Sequence, residues 1–261
     1  MTDHTDRPGD GKPLASMKAQ VYLDPRPIEE IAEYYDWPLT HRPDWVYTVV
    51  RVITSLYVLI VHRETCIDRH NIPDDGPLIF APNHASNIDH FFLGAFTTRS
   101  VQFMAKSQLY KGWFAWVMKH GGVFPVRRGQ HDERAIEVAR SILDRGGTIC
   151  TYCEGGRSRS GHLAQTAKPG IGRLALQTGA PVLPAAILGS HRVRNWKRLR
   201  FPKVTVWYGE PLRFDVVENP TREQQQAVAD EVFARIRAMH EELSARGVRA
   251  VRADRRARSG G

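Results

Sequence analysis

Apolar positions in this chain come in blocks of different period. Residues 27–37 (PIEEIAEYYDW) carry spaced apolar side chains that predict a short amphipathic helix. Residues 45–61 (WVYTVVRVITSLYVLIV) form the most apolar stretch. As a helix this stretch runs ~26 Å at 1.5 Å per residue, slightly short of a bilayer span. Trp45, Tyr47 and Tyr57 are residue types that favour a membrane–water interface, and Arg51, Arg42, His62 and Arg63 lie within or beside the stretch. The pattern predicts a helix lying in or dipping into a membrane surface, with a buried core helix as the alternative.

From residue 77 onward, short apolar runs alternate with helical segments. Strands are expected at 77–82, 101–105, 122–126, 147–153, 181–188 and 203–209. Helices are expected at 87–98, 108–119, 131–144 (opened by Asp132 and Glu133), 169–178 and 221–245 (capped at Thr221). This alternation predicts an α/β fold: a single domain with a mostly parallel or mixed central sheet flanked by helices, preceded by an N-terminal membrane-associating helix. The expected division is a flexible leader at 1–26, the membrane-associating segment at 27–65, the α/β domain at 66–245 and a flexible basic tail at 246–261. No internal repeat interrupts this order.

Composition is ordinary for a globular protein of 261 residues, with 42% hydrophobic and 25% charged positions, which excludes disordered and fibrous classes. The 37 Lys and Arg against 28 acids leave a net charge of +9, which predicts an anionic partner. Much of the excess sits in residues 244–261, where six Arg accompany one acid, Asp254. A second basic stretch, 191–203 (HRVRNWKRLRFPK), has six Lys and Arg and suits anionic head groups. Cys150 and Cys153 have the CxxC spacing, but on a strand such positions face opposite ways, against a redox or metal pair. The polar segment 1–11 has no secretory signal pattern, so a reducing compartment is expected.

Three loops carry candidate chemistry, each after an expected strand, and loops at the carboxyl ends of parallel strands share one edge of the sheet. The first is Asn83-His84-Ala85-Ser86-Asn87-Ile88-Asp89-His90. Ser86 and Asp89 fit a capping box that opens the next helix. The same spacing lets Asp89 hold one nitrogen of His84 and leave the other free as a base. A metal site built on His84, Asp89 and His90 is a third reading, weakened because adjacent helical residues rarely converge on one ion. The second loop holds Arg127, Arg128 and Gly129. The third runs Glu154-Gly155-Gly156-Arg157-Ser158, with Lys168-Pro169-Gly170 just before a helix N-terminus. Tight glycine turns, Arg forks and a helix N-terminus suit phosphate oxygens. There is no nucleotide P-loop spacing.

In order and spacing, these residues resemble the glycerolipid acyltransferases of the lysophosphatidic acid acyltransferase type. The pattern N-H-x-S-x-x-D is matched by Asn83, His84, Ser86 and Asp89, and F-x-x-x-R-G by Phe124, Arg128 and Gly129. F-P-E-G-T-R-S appears as Tyr152 through Ser158, with Cys153 for Pro and Gly156 for Thr, and V-x-P is matched by Val182 and Pro184. The resemblance implies transfer of a fatty acyl group from acyl-CoA or acyl carrier protein to a lysophospholipid, foremost 1-acyl-glycerol-3-phosphate, in phospholipid biosynthesis. Glycerol-3-phosphate or another lysolipid is the alternative acceptor. It implies His84 as general base and Asp89 as its orienting group, with Asn83 and Ser86 supporting. Arg128, Glu154, Gly155, Gly156, Arg157, Ser158 and Lys168 would bind the phosphorylated acceptor. It implies no cofactor and no metal, no covalent enzyme intermediate, and a site at the cytoplasmic face of the cell membrane. The competing classes are a basic nucleic-acid-binding module and a metal-dependent hydrolase; under the acyltransferase reading no nucleic acid partner is expected.

Overall fold

Strand residues alternate between two hydrophobic cores. In β2 (Leu78–Pro82), Leu78 and Phe80 join one core while Ile79 and Ala81 join the other, the period-2 pattern of a sheet buried on both faces. The computed structural model describes residues 23–130, 132–158, 161–193 and 201–259. Among these, seven strands form one sheet: β1 (Thr65–Ile67), β2, β3 (Val101–Lys106), β4 (Val123–Val126), β5 (Thr148–Cys150), β6 (Val182–Leu188) and β7 (Thr205–Tyr208). Their order is β1-β7-β6-β2-β5-β3-β4. All pairings are parallel except β6 with β7. The sheet is therefore mixed, and β2 through β6 open their carboxyl ends onto one edge.

One face is covered by α1 (Ala32–Thr40), α5 (Glu133–Asp144), α6 (Gly170–Thr178) and α7 (Arg222–Arg246). The caps expected at their starts are present. Asp132 accepts from the Ala135 N–H, and Thr221 forms a capping box with Gln224. Asp132 also accepts from the Tyr35 hydroxyl, tying α1 to α5. On the other face lie α2 (Trp45–Val61) and the short α3 (Asp89–Gly94); α4 (Gly112–His120) packs beside α2.

Helix α2 turns much of its apolar surface outward. Val58 is buried, but Trp45, Val52, Ile53, Leu56 and Ile60 are each more than half exposed, and Trp113 on α4 is 78% exposed. Trp45 and Trp116 meet with ring centroids 6.5 Å apart, joining the two helices into one apolar ledge. Tyr47 departs from its expected interfacial place: it is buried, and its hydroxyl accepts from the Val101 N–H at 2.9 Å. Arg51 donates to the Thr97 and Thr98 carbonyls. No single described helix is long and apolar enough to cross a membrane; residues 28–40 and 45–61 reach that composition together only as a pair bent by 92°.

Several expected boundaries shift. The helix expected at 87–98 is only α3, because Gly94 and the β-branched Thr97 and Thr98 are weak helix formers. The strand expected to reach 153 stops at Cys150, where the chain turns toward Gly155 at φ +63°. Cys150 joins one core and Cys153, in the turn beyond the strand, joins the other.

The tail expected to be flexible forms α8 (Val248–Ser259). Val251 is fully buried with Trp207, Met239 and Leu243, and Arg255 pairs with Asp68 at 2.6 Å, so burial and charge together fix the segment. Residues 1–22 of the expected leader lie outside the described residues, but its last part is held: buried Asp24 pairs with Arg26, and Arg127 donates to both their carbonyls. Residues 194–200 of the basic stretch also lie outside the described residues.

Candidate active site

The site forms where β2 and β5 end side by side. Asn83 leaves β2 and clamps it to β6: its side chain donates to the Ile187 carbonyl at 3.1 Å and accepts from the Ile187 N–H at 2.6 Å. The amide thereby continues the ladder past the last strand residue and anchors the next one, His84.

His84 and Asp89 meet as the motif spacing suggested. His84 Nδ1 is 2.9 Å from Asp89 Oδ2. The same oxygen accepts from the Ala85 and Ser86 N–H groups, both at 2.7 Å. A single carboxylate oxygen thus both closes the loop and holds the ring. The capping box expected of Ser86 and Asp89 does not form at the helix start: α3 has Ile88 at its N-cap position with no side-chain cap, and Ser86 Oγ accepts from the Ile88 N–H at 3.4 Å in the turn before it. With Nδ1–H committed to Asp89, Nε2 is left as the proton acceptor.

Burial is the main force holding His84 below the usual imidazole range; Asp89 opposes it, and the nearby charges of Arg128 and Arg157 reinforce it. The ring is therefore neutral at physiological pH and able to take a proton. The same effect places Arg128, from the end of β4, and Arg157, from the loop after β5, within electrostatic reach of the imidazole. Tyr152 stacks on that imidazole with centroids 3.8 Å apart and planes at 22°. This contact was not foreseen; the only signal was an aromatic residue two places before Glu154.

Glu154 has a different place from the acceptor-binding role expected of it. Its Oε1 accepts from the His84 N–H at 2.9 Å and its Oε2 from the Ala164 N–H at 3.3 Å. It is nearly buried, and burial raises its pKa. Both oxygens brace backbone, and a carboxylate would repel phosphate, so Glu154 acts as a strut between two loops. Ser158 donates its N–H to the His84 carbonyl at 2.8 Å and completes that brace.

Lys168 donates its N–H to the Cys153 carbonyl, and its side-chain stem lies over Gly155, where an added Cβ would sit 2.8 Å from Lys168 Cγ. Nothing lies within 4 Å of a Cβ placed on Gly156, so its backbone is open to a ligand. His90 packs its ring against Phe91 and Phe103, and burial holds it down to about 4. Among the described residues no three His, Cys, Asp or Glu side chains group in a way that would hold a metal ion.

The model of the Acyltransferase family matches residues 63–188, from just before β1 to the end of β6. The match takes in 126 of the 261 residues. The relatives of this chain carry matching names. A 1-acyl-sn-glycerol-3-phosphate acyltransferase of Cocos nucifera is 28% identical over 148 residues, covering 52% of this chain and 46% of that protein. A chloroplastic 1-acyl-sn-glycerol-3-phosphate acyltransferase of Brassica napus is 23% identical, covering 59% and 45%. A probable enzyme of that name from Mycoplasma genitalium is 26% identical over 175 residues, covering 64% and 65%. The matched region thus spans about half the length of the two plant relatives. The crystal structure of the 1-acyl-sn-glycerophosphate acyltransferase PlsC from Thermotoga maritima shares the fold, with a TM-score of 0.60 at 23% identity, over 88% of this chain and 93% of that one. The matched region holds the whole His84 site, while α7 and α8 lie beyond it.

Proposed function

We propose that this protein transfers a fatty acyl group from an acyl thioester to the free hydroxyl of a lysophospholipid, 1-acyl-glycerol-3-phosphate, yielding phosphatidic acid. The observation that carries this reading is the neutral His84, held by Asp89 at Nδ1 and flanked by Arg128 and Arg157. Nε2 takes the hydroxyl proton as the oxygen attacks the thioester carbonyl. The tetrahedral intermediate collapses, the carbon–sulfur bond breaks, and the imidazolium returns the proton to the departing thiolate. The thioester is already activated, so no enzyme acyl intermediate, cofactor or metal takes part. Ser86, whose Oγ accepts from the Ile88 N–H in the turn before α3, is not a nucleophile. Arg128, Arg157 and Lys168, with the open backbone at Gly156, hold the acceptor phosphate.

The reaction belongs at a membrane, where both fatty chains reside. The exposed ledge of α2 and α4 is the surface that would enter the headgroup region, giving a peripheral or monotopic protein on the cytoplasmic leaflet. The names of the relatives support the acceptor; the ledge supports the location.

The deciding experiment incubates purified protein with labelled acyl-CoA and a panel of lysolipids and reads products by mass. Wild type forms phosphatidic acid, and His84→Ala loses at least about 10²-fold in turnover with an unchanged melting temperature. Near-normal turnover in that variant rejects the mechanism. Ile53→Glu with Ile60→Glu, both on the exposed ledge, lowers flotation with vesicles by about ten-fold or more; equal flotation removes the ledge from the membrane.

A further inference from the structure

At the carboxyl edge of β6 lies a second cleft, of about 1190 Å³, that the chemistry above leaves unused. Among the described residues, seven Lys and Arg line it against one carboxylate, Glu241. These cations come from distant parts of the chain, including Arg63 just after α2, Lys203 before β7, Arg237 on α7 and Arg249 on α8. Three imidazoles, His162, His191 and His240, line the same space.

The cleft is joined to the active site by one loop. That loop starts at Ser158, whose N–H donates to the His84 carbonyl. It reaches the cleft at Gly161, at φ +84°, where an added Cβ would sit 2.8 Å from the His191 ring. It then returns through the Ala164 N–H to Glu154. The cleft floor at Leu188 and Gly189 directly follows Ile187, the residue clamped by Asn83. The two sites are therefore one strand apart on the same edge, a strand spacing of about 4.8 Å.

We propose that this cleft binds the phosphorylated nucleotide end of the acyl donor, which makes the donor a coenzyme A thioester. The inference rests on the acyl-transfer reading. Coenzyme A carries a diphosphate and a 3′-phosphate on one nucleotide, and its thioester at the end of a flexible pantetheine arm. The cleft supplies the cations, and the adjoining edge of β2 supplies His84 to the end of the arm. A concave basic cleft with imidazoles inside it suits a compact polyanion better than the broad acidic surface of a carrier protein.

Burial holds His191 and His240 below the usual imidazole range; Arg192 reinforces it at His191, and Glu241 opposes it at His240. They are uncharged at neutral pH and offer N–H donors to phosphate oxygens. Arg237 is steadied by the Ala164 and Gln165 carbonyls, leaving guanidinium donors of its fork for a ligand.

The test is calorimetric titration of the full chain with coenzyme A, dephospho-coenzyme A and pantetheine, without lipid. Coenzyme A binds tightest, and loss of the 3′-phosphate weakens binding about ten-fold. Lys203→Glu with Arg249→Glu, two side chains whose heads make no ion pair among the described residues, weakens coenzyme A by at least about ten-fold and narrows its advantage over dephospho-coenzyme A. A melting temperature matching wild type shows that the variant folds. Salt dependence of wild-type coenzyme A affinity gives a second reading that needs no variant. Equal binding of the two nucleotides, or unchanged affinity in the variant, overturns the proposal. So does transfer from acyl carrier protein with no coenzyme A binding. The binding pattern without acyl transfer overturns the reading of the His84 site and upholds a coenzyme A site here. Acyl transfer from acyl-CoA without the binding pattern overturns the cleft alone.

Discussion

Asp89 and Glu64 are both buried carboxyl groups, and their surroundings are opposite. Asp89 Oδ2 gathers two backbone N–H groups and the His84 ring. Glu64, just after α2, has no hydrogen-bond partner on either oxygen among the described residues, and burial pushes its pKa up to about 9. Burial is common to both; the difference is the presence of donors. Where donors converge, a buried acid orients a base. Where none do, the acid stays protonated and weakens the fold as pH rises.

The largest effect expected from this contrast is on catalysis. Asp89→Asn removes the charge that steadies the His84 imidazolium and, where its amide nitrogen faces the ring, admits the wrong imidazole tautomer. Turnover falls by about 10²–10⁴-fold, measured at saturating substrates. A loss below about ten-fold would mean that Asp89 is only a cap. Arg157→Ala comes next. It removes a phosphate ligand, so the acceptor KM rises about ten-fold while the thioester KM changes little. It also removes one cation that holds His84 down, so the acid limb of the pH–rate profile moves to higher pH. A profile that does not move would separate Arg157 from the imidazole.

The smallest effect is on stability. Folded Glu64 keeps its proton up to about pH 9, whereas unfolded it ionises near 4.5. Unfolding therefore releases a proton between those values, and stability falls as pH rises through that window. Glu64→Gln removes the slope and raises stability by about 1–2 kcal/mol at pH 8, with little change near pH 4. Thermal melts at the two pH values check this. Parallel melting curves for both proteins at both values would show that Glu64 finds a partner.

The same contrast explains what could be read in the sequence. His84 and Asp89 are five residues apart, so local chain geometry alone can bring them together, and the motif was visible. Asn83 sits in the same motif, but its partner Ile187 is 104 residues away. The brace role of Glu154 depends on Ala164 and on the parallel pairing of β2 with β5, and no local pattern encodes it. Tyr152 reaches the imidazole for the same reason. By composition the tail reads as flexible, because its arginines outweigh its two valines. Its helix is held by residues far back in the chain, Asp68 and Trp207 among them.

The sequence by itself determined the alternation of strands and helices, the buried character of β2 and the pairing of base with orienting acid, since each depends on residue spacing along one short segment. Only the tertiary structure decided that Arg128 and Arg157 come within electrostatic reach of His84, that β7 runs against β6, and that cations from four remote segments line one cleft. Those outcomes depend on which strands lie side by side, and that order is chosen by burial summed over the whole chain.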